Sequence, residues 1–215
     1  MPRRRLSDKI RQARAVEWGI LLDTQYTVNT YATCAQATAE QLAESILPSV
    51  VIRGQQFVFR AVYASQLSND ERDLIWNLTE GNMADMSAAS SMGWASGPKK
   101  RELFHAQSRF IVAYNAIGFV GFTMFRFDVE DDGDVLYCYE AQIEEGMRGL
   151  GVGKQLLEFL VPIGKRWGMD CIMLTVLKVN AGASRFYKAN GFKLDEYSPD
   201  EPECDYEILS MPLKQ

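Results

Sequence analysis

The sequence predicts a single α/β domain: a mixed, mostly antiparallel central sheet flanked by helices, with an N-terminal helical extension. Three observations predict it. Residues 109–143 read as strands joined by tight turns, an antiparallel meander. After Gly146 the pattern changes to loop, apolar helix, buried strand, short helix and last strand, which adds a crossover to the same sheet. A chain of 215 residues, 47% hydrophobic and 24% charged, suffices for one core with an extension. The expected division is 1–50 for a basic arm and helical extension, and 51–215 for the domain.

The elements follow in order. Ala35 to Leu47 is rich in Ala, Gln, Glu and Leu and precedes Pro48, so it reads as a helix. Gln56 to Ser65, aromatic and β-branched, reads as the first strand. Asn69 is expected to cap a helix whose apolar face holds Leu74, Ile75 and Leu78. Residues 81–97, rich in Gly, Ser, Met and Ala, read as a mobile loop. Strands follow at 109–114, 119–129 and 135–143, with turns at Asn115 to Gly118 and Asp131 to Asp134. Leu156, Leu157, Phe159 and Leu160 mark a helix, and Cys171 to Leu177 a buried strand. Asn180 to Ala189 is a short helix stopped by Asn190-Gly191, and Tyr206 to Ser210 the last strand.

Composition narrows the chemistry. The four cysteines form no C-x-x-C pair and the chain has one histidine, His105, so no metal is expected. Free cysteines point to a reducing compartment, the cytoplasm and nucleus. There is no apolar run of membrane-spanning length, no signal core behind Met1 to Arg5, and Pro2 stands where myristoylation needs Gly. No membrane partner is expected. The net charge of −5 divides unevenly: residues 1–14 carry six basic side chains against Asp8, leaving the remainder at −10. An acidic body favours a basic partner, and the arm suits nuclear import, a ribosome or nucleic acid, or is solvated surface.

The sharpest motif is Arg148-Gly149-Leu150-Gly151-Val152-Gly153-Lys154, between a strand and a helix. Glycines let a ligand approach the backbone, and a helix start offers unpaired N–H groups and a positive dipole end. Together they make an anion site of pyrophosphate size; the bland alternative is a turn with no ligand. A P-loop would need Gly at 148 and Ser or Thr at 155, where Arg148 and Gln155 stand. A Rossmann fingerprint needs G-x-G-x-x-G, and this is G-x-G-x-G.

Arg148, Gly151 and Gly153 resemble the R/Q-x-x-G-x-G/A loop of GNAT acetyltransferases. Asn180-Ala181-Gly182-Ala183, continuing through Phe186-Tyr187 to Gly191-Phe192, is similar to a second stretch of that family. The resemblance implies a GNAT fold with acetyl-CoA as co-substrate. It implies cofactor contacts from Ala141, Gln142, Ile143, Arg148, Gly149, Leu150, Gly151, Val152, Gly153, Lys154, Asn180 and Tyr187. Taken alone, Asn180 is equally an N-cap and Tyr187 a core aromatic.

Within that superfamily, Tyr137-Cys138-Tyr139-Glu140 and Tyr206-Glu207-Ile208-Leu209-Ser210 resemble NatD-type N-terminal acetyltransferases, as do Phe125 to Glu130 and Met173 to Val176. That resemblance implies an N-terminal Ser acceptor on histone H-four and histone H-two-A, whose tails begin Ser-Gly-Arg-Gly. Its implied substrate contacts are Trp94, Asp128, Val129, Glu130, Tyr137, Tyr139, Thr175 and Tyr206. Asp128 and Glu130 are two apart and so share a strand face, suited to a guanidinium or an amine, or else to protecting an edge. Trp94 is a cleft wall or a core residue under a loop. Ser87 and Met92-Gly93-Trp94 depart from the Tyr and Trp-Gly-Trp of those relatives.

Glu140 is the expected catalytic base, acting directly or through water, beside a strand expected to splay and bulge. Cys138 as a nucleophile is the rival, without a histidine placed to activate it. Three readings stay open: histone N-terminal acetylation, acetylation of a lysine or small amine, and an inactive acyl-CoA-binding chromatin or ribosome module.

Overall fold

A computed structural model describes residues 37–130 and 133–214. The basic arm, Cys34, the first two residues of the expected 35–47 helix and the Asp131-Asp132 turn residues lie outside the described residues.

Helix α1 (Ala39–Ala43) is short, closed at its start by a reciprocal box in which Thr38 and Gln41 bond each other's backbone. Strand β1 (Ser49–Ile52) was not expected. It folds back on β2 (Gln55–Tyr63) through Arg53-Gly54, both at positive φ (49° and 81°), the geometry of a two-residue hairpin turn. The division at residue 50 thus falls inside β1, and Ala37, Leu42 and Ile46 belong to the main core.

Helix α2 (Asn69–Ala88) is capped by Ser68, not Asn69: Ser68 Oγ accepts from Glu71 N at 3.2 Å, and Glu71 Oε2 from Ser68 N at 2.9 Å. The loop expected over 81–97 is mostly helix. α2 runs on through Gly81 and Asn82 because Met83 and Met86 pack against the sheet, outweighing the weak propensity of Gly81. A further helix, α3 (Ser96–Leu103), carries Pro98 in its first turn, where a missing N–H costs nothing.

The meander is as expected: β3 (Arg109–Tyr114), β4 (Phe119–Glu130) and β5 (Gly133–Ile143). Helix α4 (Val152–Arg166), strand β6 (Cys171–Leu177), helix α5 (Ala181–Ala189), the two-residue β7 (Lys193–Leu194) and β8 (Tyr206–Pro212) complete the chain. The sheet order is β1-β2-β3-β4-β5-β6-β8-β7. Among the described residues only β5 and β6 run parallel, because α4 carries the chain back between them.

Both faces are covered, so strands alternate between two cores rather than between core and water. Phe125, Phe127, Ile111 and Phe59 join α1 and α4 on one face; Phe110, Phe122 and Met124 join α2 and α3 on the other. Fully buried Phe125 anchors the first layer, and truncating it to Ala should cost about 3–5 kcal/mol.

Two irregularities in β5 open the sheet. The register with β4 slips: Met124 pairs with Glu140 but Phe125 with Cys138, leaving Tyr139 as the extra residue. The β5–β6 ladder ends at Tyr137↔Met173 after three pairs, so beyond it the two strands part.

Candidate active site

β5 and β6 are unpaired with each other beyond Tyr137 and Met173, and the bulge decides which side chains share a face there. Cys138 belongs to the core under α4, while Tyr139 packs on the opposite face. The extra residue sends the next side chain, Glu140, to the same side as Tyr139. Thr123 Oγ1 donates to Glu140 O at 3.0 Å, fixing the bulge.

Glu140 is almost fully buried, with both carboxylate oxygens engaged. Lys99 Nζ, from α3, lies 2.5 Å from Oε1 and also 2.6 Å from Glu102 Oε2. Gln142 Nε2 donates to Oε2 at 2.7 Å. Burial pulls the Lys99 ammonium down, but the Glu140 and Glu102 carboxylates outweigh it and hold the pKa above its ordinary value.

Beyond Glu140 lies the face built from Tyr137 and Tyr139, whose ring centroids are 4.8 Å apart. The Tyr139 hydroxyl donates to Asp128 Oδ2 at 3.2 Å, and that of Tyr137 meets Thr175 Oγ1 at 2.5 Å. Arg126 lies over the Tyr139 ring, 4.5 Å from its centroid. Burial pushes the Asp128 carboxyl up, against the Val129 N–H, the Tyr139 hydroxyl and Arg126. Val129 therefore serves through its backbone, 2.9 Å from Asp128 Oδ1. Glu130 is half-buried two residues on, and buried Tyr206 joins the cluster with Met83, Met86 and Met92. Ser91 crosses above from the end of α2, its N–H and hydroxyl meeting Asp205 at 2.5 and 2.7 Å.

On the other side of Glu140 is the glycine loop. Gly149 and Gly151 have φ of 74° and 109°, and a Cβ on Gly151 would meet Ile52 Cγ2 at 3.2 Å. The first bond of α4 runs from Gln155 N to Gly151 O at 3.0 Å, so the N–H groups of Val152, Gly153 and Lys154 have no partner within the helix. Such a helix start can hold a phosphate-type anion. Gly153 packs α4 against β5 and α5: its Cβ would lie 3.4 Å from Phe186 and 3.5 Å from Ile143. Val152 and Leu150 serve the core, and Lys154 is exposed beside Glu158. Ala141 and Ile143 pack partly on the main core, which leaves their backbone on the open edge of β5.

Asn180 caps α5, its Oδ1 accepting from Ala183 N at 3.2 Å; its Nδ2 is the donor left to meet a ligand. Tyr187 packs between Phe186 and Phe192, and burial, with Cys138 and Glu140 adding, raises its phenol. Trp94 is half-buried and stacks on Trp76 with centroids 5.8 Å apart. Burial pushes the Cys138 thiol up to about 12, with Thr123 opposing and the Glu140 charge adding. It is therefore a protonated core thiol at neutral pH, not a nucleophile.

Lys99, Asn82 and Gln142 as a side-chain donor were not read from the sequence as parts of the site. Lys99 and Asn82 fell in or beside the supposed loop, and the partner of Asn82 is 60 residues away.

Residues 76–192, more than half the chain, match the sequence profile of the Acetyltransferase (GNAT) family. A chain of the NatC complex bound to Gag peptide and CoA is similar at 18% identity, covering 74% of this chain and 99% of its own, with TM-score 0.54. Ard1 from Thermoplasma volcanium is similar at 16% identity, covering 74% and 99%, with TM-score 0.53. Nourseothricin acetyltransferase is 28% identical over 50% of this chain, at TM-score 0.42, and the chain spans 66% of its length.

Proposed function

This chain belongs to the GNAT acetyltransferase family, and from that premise we propose that it acetylates the N-terminal amine of peptides, with NatD-type histone tails beginning Ser-Gly-Arg-Gly as acceptors. The observation that carries the reading is the acidic tyrosine face beside Glu140. Hydroxyls at Tyr137 and Tyr139 can meet a peptide backbone, and glycines in that peptide can lie against the two rings. Asp128 and Glu130 face a third-position Arg with two carboxylates. A chain of like fold comes from a complex bound to a peptide and CoA, the ligand pair this reading needs.

Acetyl-CoA supplies an activated thioester. The N–H groups of the 149–154 loop and the Arg148 guanidinium would hold its phosphates, and the backbone of Ala141 to Ile143 its pantetheine arm. The attacking amine must be neutral, and an α-amine loses its proton near pH ~8. Glu140 receives that proton, directly or through water, while Lys99 and Gln142 hold its two oxygens in place. The resemblance puts Tyr187 beside the cofactor, and its buried phenol stays protonated at neutral pH. Histone peptides as partners carry cytoplasm and nucleus as the compartments, and residues 3–14 as a contact for ribosome or nucleic acid.

The test is acetyl-CoA turnover on peptides differing only in their first five residues. Ser-Gly-Arg-Gly-Lys should be fastest, and an N-terminally blocked peptide with a free lysine inert. Turnover of the lysine peptide alone would overturn the reading.

A further inference from the structure

The glycine loop and the Glu140 carboxylate are joined by side chains that the steps above do not explain. Arg148 Nη2 donates to Asn82 Oδ1 at 2.7 Å, and Asn82 Nδ2 to Gln142 Oε1 at 2.9 Å. Gln142 Nε2 donates to Glu140 Oε2 at 2.7 Å, and Lys99 closes the far end on Oε1 at 2.5 Å. The loop, α2, β5 and α3 each contribute. The direction of this chain is forced by its ends. A guanidinium only donates and a carboxylate only accepts, so both amides must turn oxygen toward Arg148 and nitrogen toward Glu140. Reversing either would set donor against donor or acceptor against acceptor.

Arg148 is exposed, and it also donates to Ile143 O at 3.2 Å. An anion in the loop competes with Asn82 for the guanidinium, because a phosphate is a stronger acceptor for it than a neutral amide. When Arg148 turns away, Asn82 Oδ1 loses its donor and the amide pair loses the anchor that fixed its direction.

We infer that Asn82 is a positioning residue, which orients Glu140 through Gln142 and reports to it whether Arg148 is engaged by the cofactor. The inference rests on the acetyl-CoA reading of the loop. With Arg148 turned to the cofactor, the bond from Asn82 Nδ2 to Gln142 Oε1 still holds the amide that orients Glu140. By linkage the coupling is reciprocal, so events at Glu140 alter affinity at the loop.

The test uses the full chain and CoA as the probe. Nitrogen-15 NMR follows the side-chain amide of Gln142, assigned by its loss in Gln142→Glu, while calorimetry follows CoA binding. CoA should shift the Gln142 amide in the unmodified protein. In Asn82→Ala it should bind within about threefold of normal while that amide no longer responds. Turnover of Asn82→Ala should fall about tenfold with KM for acetyl-CoA unchanged, and Asn82→Ala should add little in a Glu140→Gln background. Asn82→Asp keeps the size of the side chain but accepts from Gln142, turning the Gln142 oxygen toward Glu140. It should be as slow as Asn82→Ala, whereas a packing role leaves it active. CoA binding that leaves Gln142 unmoved overturns the inference alone, as do independent, multiplying effects of Asn82→Ala and Glu140→Gln. Absence of CoA heat overturns the acetyl-CoA reading, and the inference with it.

Discussion

The Lys99 ammonium lies 2.5 Å from Oε1 of Glu140, forty-one residues away in sequence, and the pair is almost wholly removed from solvent: 17% of one side chain and 5% of the other is exposed. Removing one member strands the other's charge. Lys99→Met should lower stability by about 3 kcal/mol, and pairing it with Glu140→Gln should recover most of that. Turnover should stay down in the double variant, by roughly 10²–10⁴ if Glu140 is the base. The Lys99 pKa is raised from 10.5, so its contribution is complete at neutral pH and is lost only as pH rises above that value. The melting-temperature gap to Lys99→Met should hold steady from about pH 6 to 9. A gap that closes inside that range would refute the assignment.

Asp128 sets function against stability. Burial raises its pKa, so at neutral pH the folded protein carries an ionised carboxylate in a site that disfavours it. The wild type should therefore gain stability as pH falls through the raised pKa, which Asp128→Asn cannot do. At pH 7 the Asn variant should melt no lower than wild type. Its KM for Ser-Gly-Arg-Gly-Lys should rise more than that for Ser-Gly-Ala-Gly-Lys, the difference shrinking in salt. Equal losses on both peptides would show that Asp128 does not read the third residue.

The glycine loop offers a clean test of charge. Gly151 is a poor site, since φ of 109° and the nearby Ile52 would strain any side chain. Gly149, at φ of 74°, has nothing within 4 Å of an added Cβ, and Asn and Asp tolerate that region best. Gly149→Asn and Gly149→Asp differ by one negative charge. The Asp variant should bind CoA about tenfold more weakly than the Asn variant at low salt, measured by calorimetry. Equal affinities would remove the loop from the phosphate site.

Away from the candidate site, Glu71 ties α2 to β3. Burial raises its pKa, but the Tyr114 hydroxyl at 2.6 Å, the Ser68 N–H and Arg60 together hold it at about 2. That contribution is complete above its ordinary 4.5 and is lost as pH falls through about 2. Glu71→Gln should melt lower than wild type at pH 7, and the difference should shrink steadily below pH 4.5, with turnover at pH 7 unaffected. A difference independent of pH would mean that the carboxylate charge is not what holds α2.

The meander, the apolar helix after residue 152 and the glycine loop were legible because their signals are local. The apolar and β-branched runs and turns along 109–143, the Leu156–Leu160 stripe and the spacing of Gly149, Gly151 and Gly153 are each set within a few residues. The helix through Gly81 and Asn82 was not legible. Its local composition is that of a loop, and the Met83 and Met86 contacts that hold it lie across the sheet. The same reason divides the site. Tyr139 and Glu140 could be named from the strand, but only pairing with β4 places the bulge that turns both to one face. The stack of Trp94 on Trp76 likewise arises only in the fold. Lys99 and Asn82 carry no motif. Their roles come from α2 and α3 packing over β5, because ion pairs and amide chains depend on distance in space, which folding alone sets.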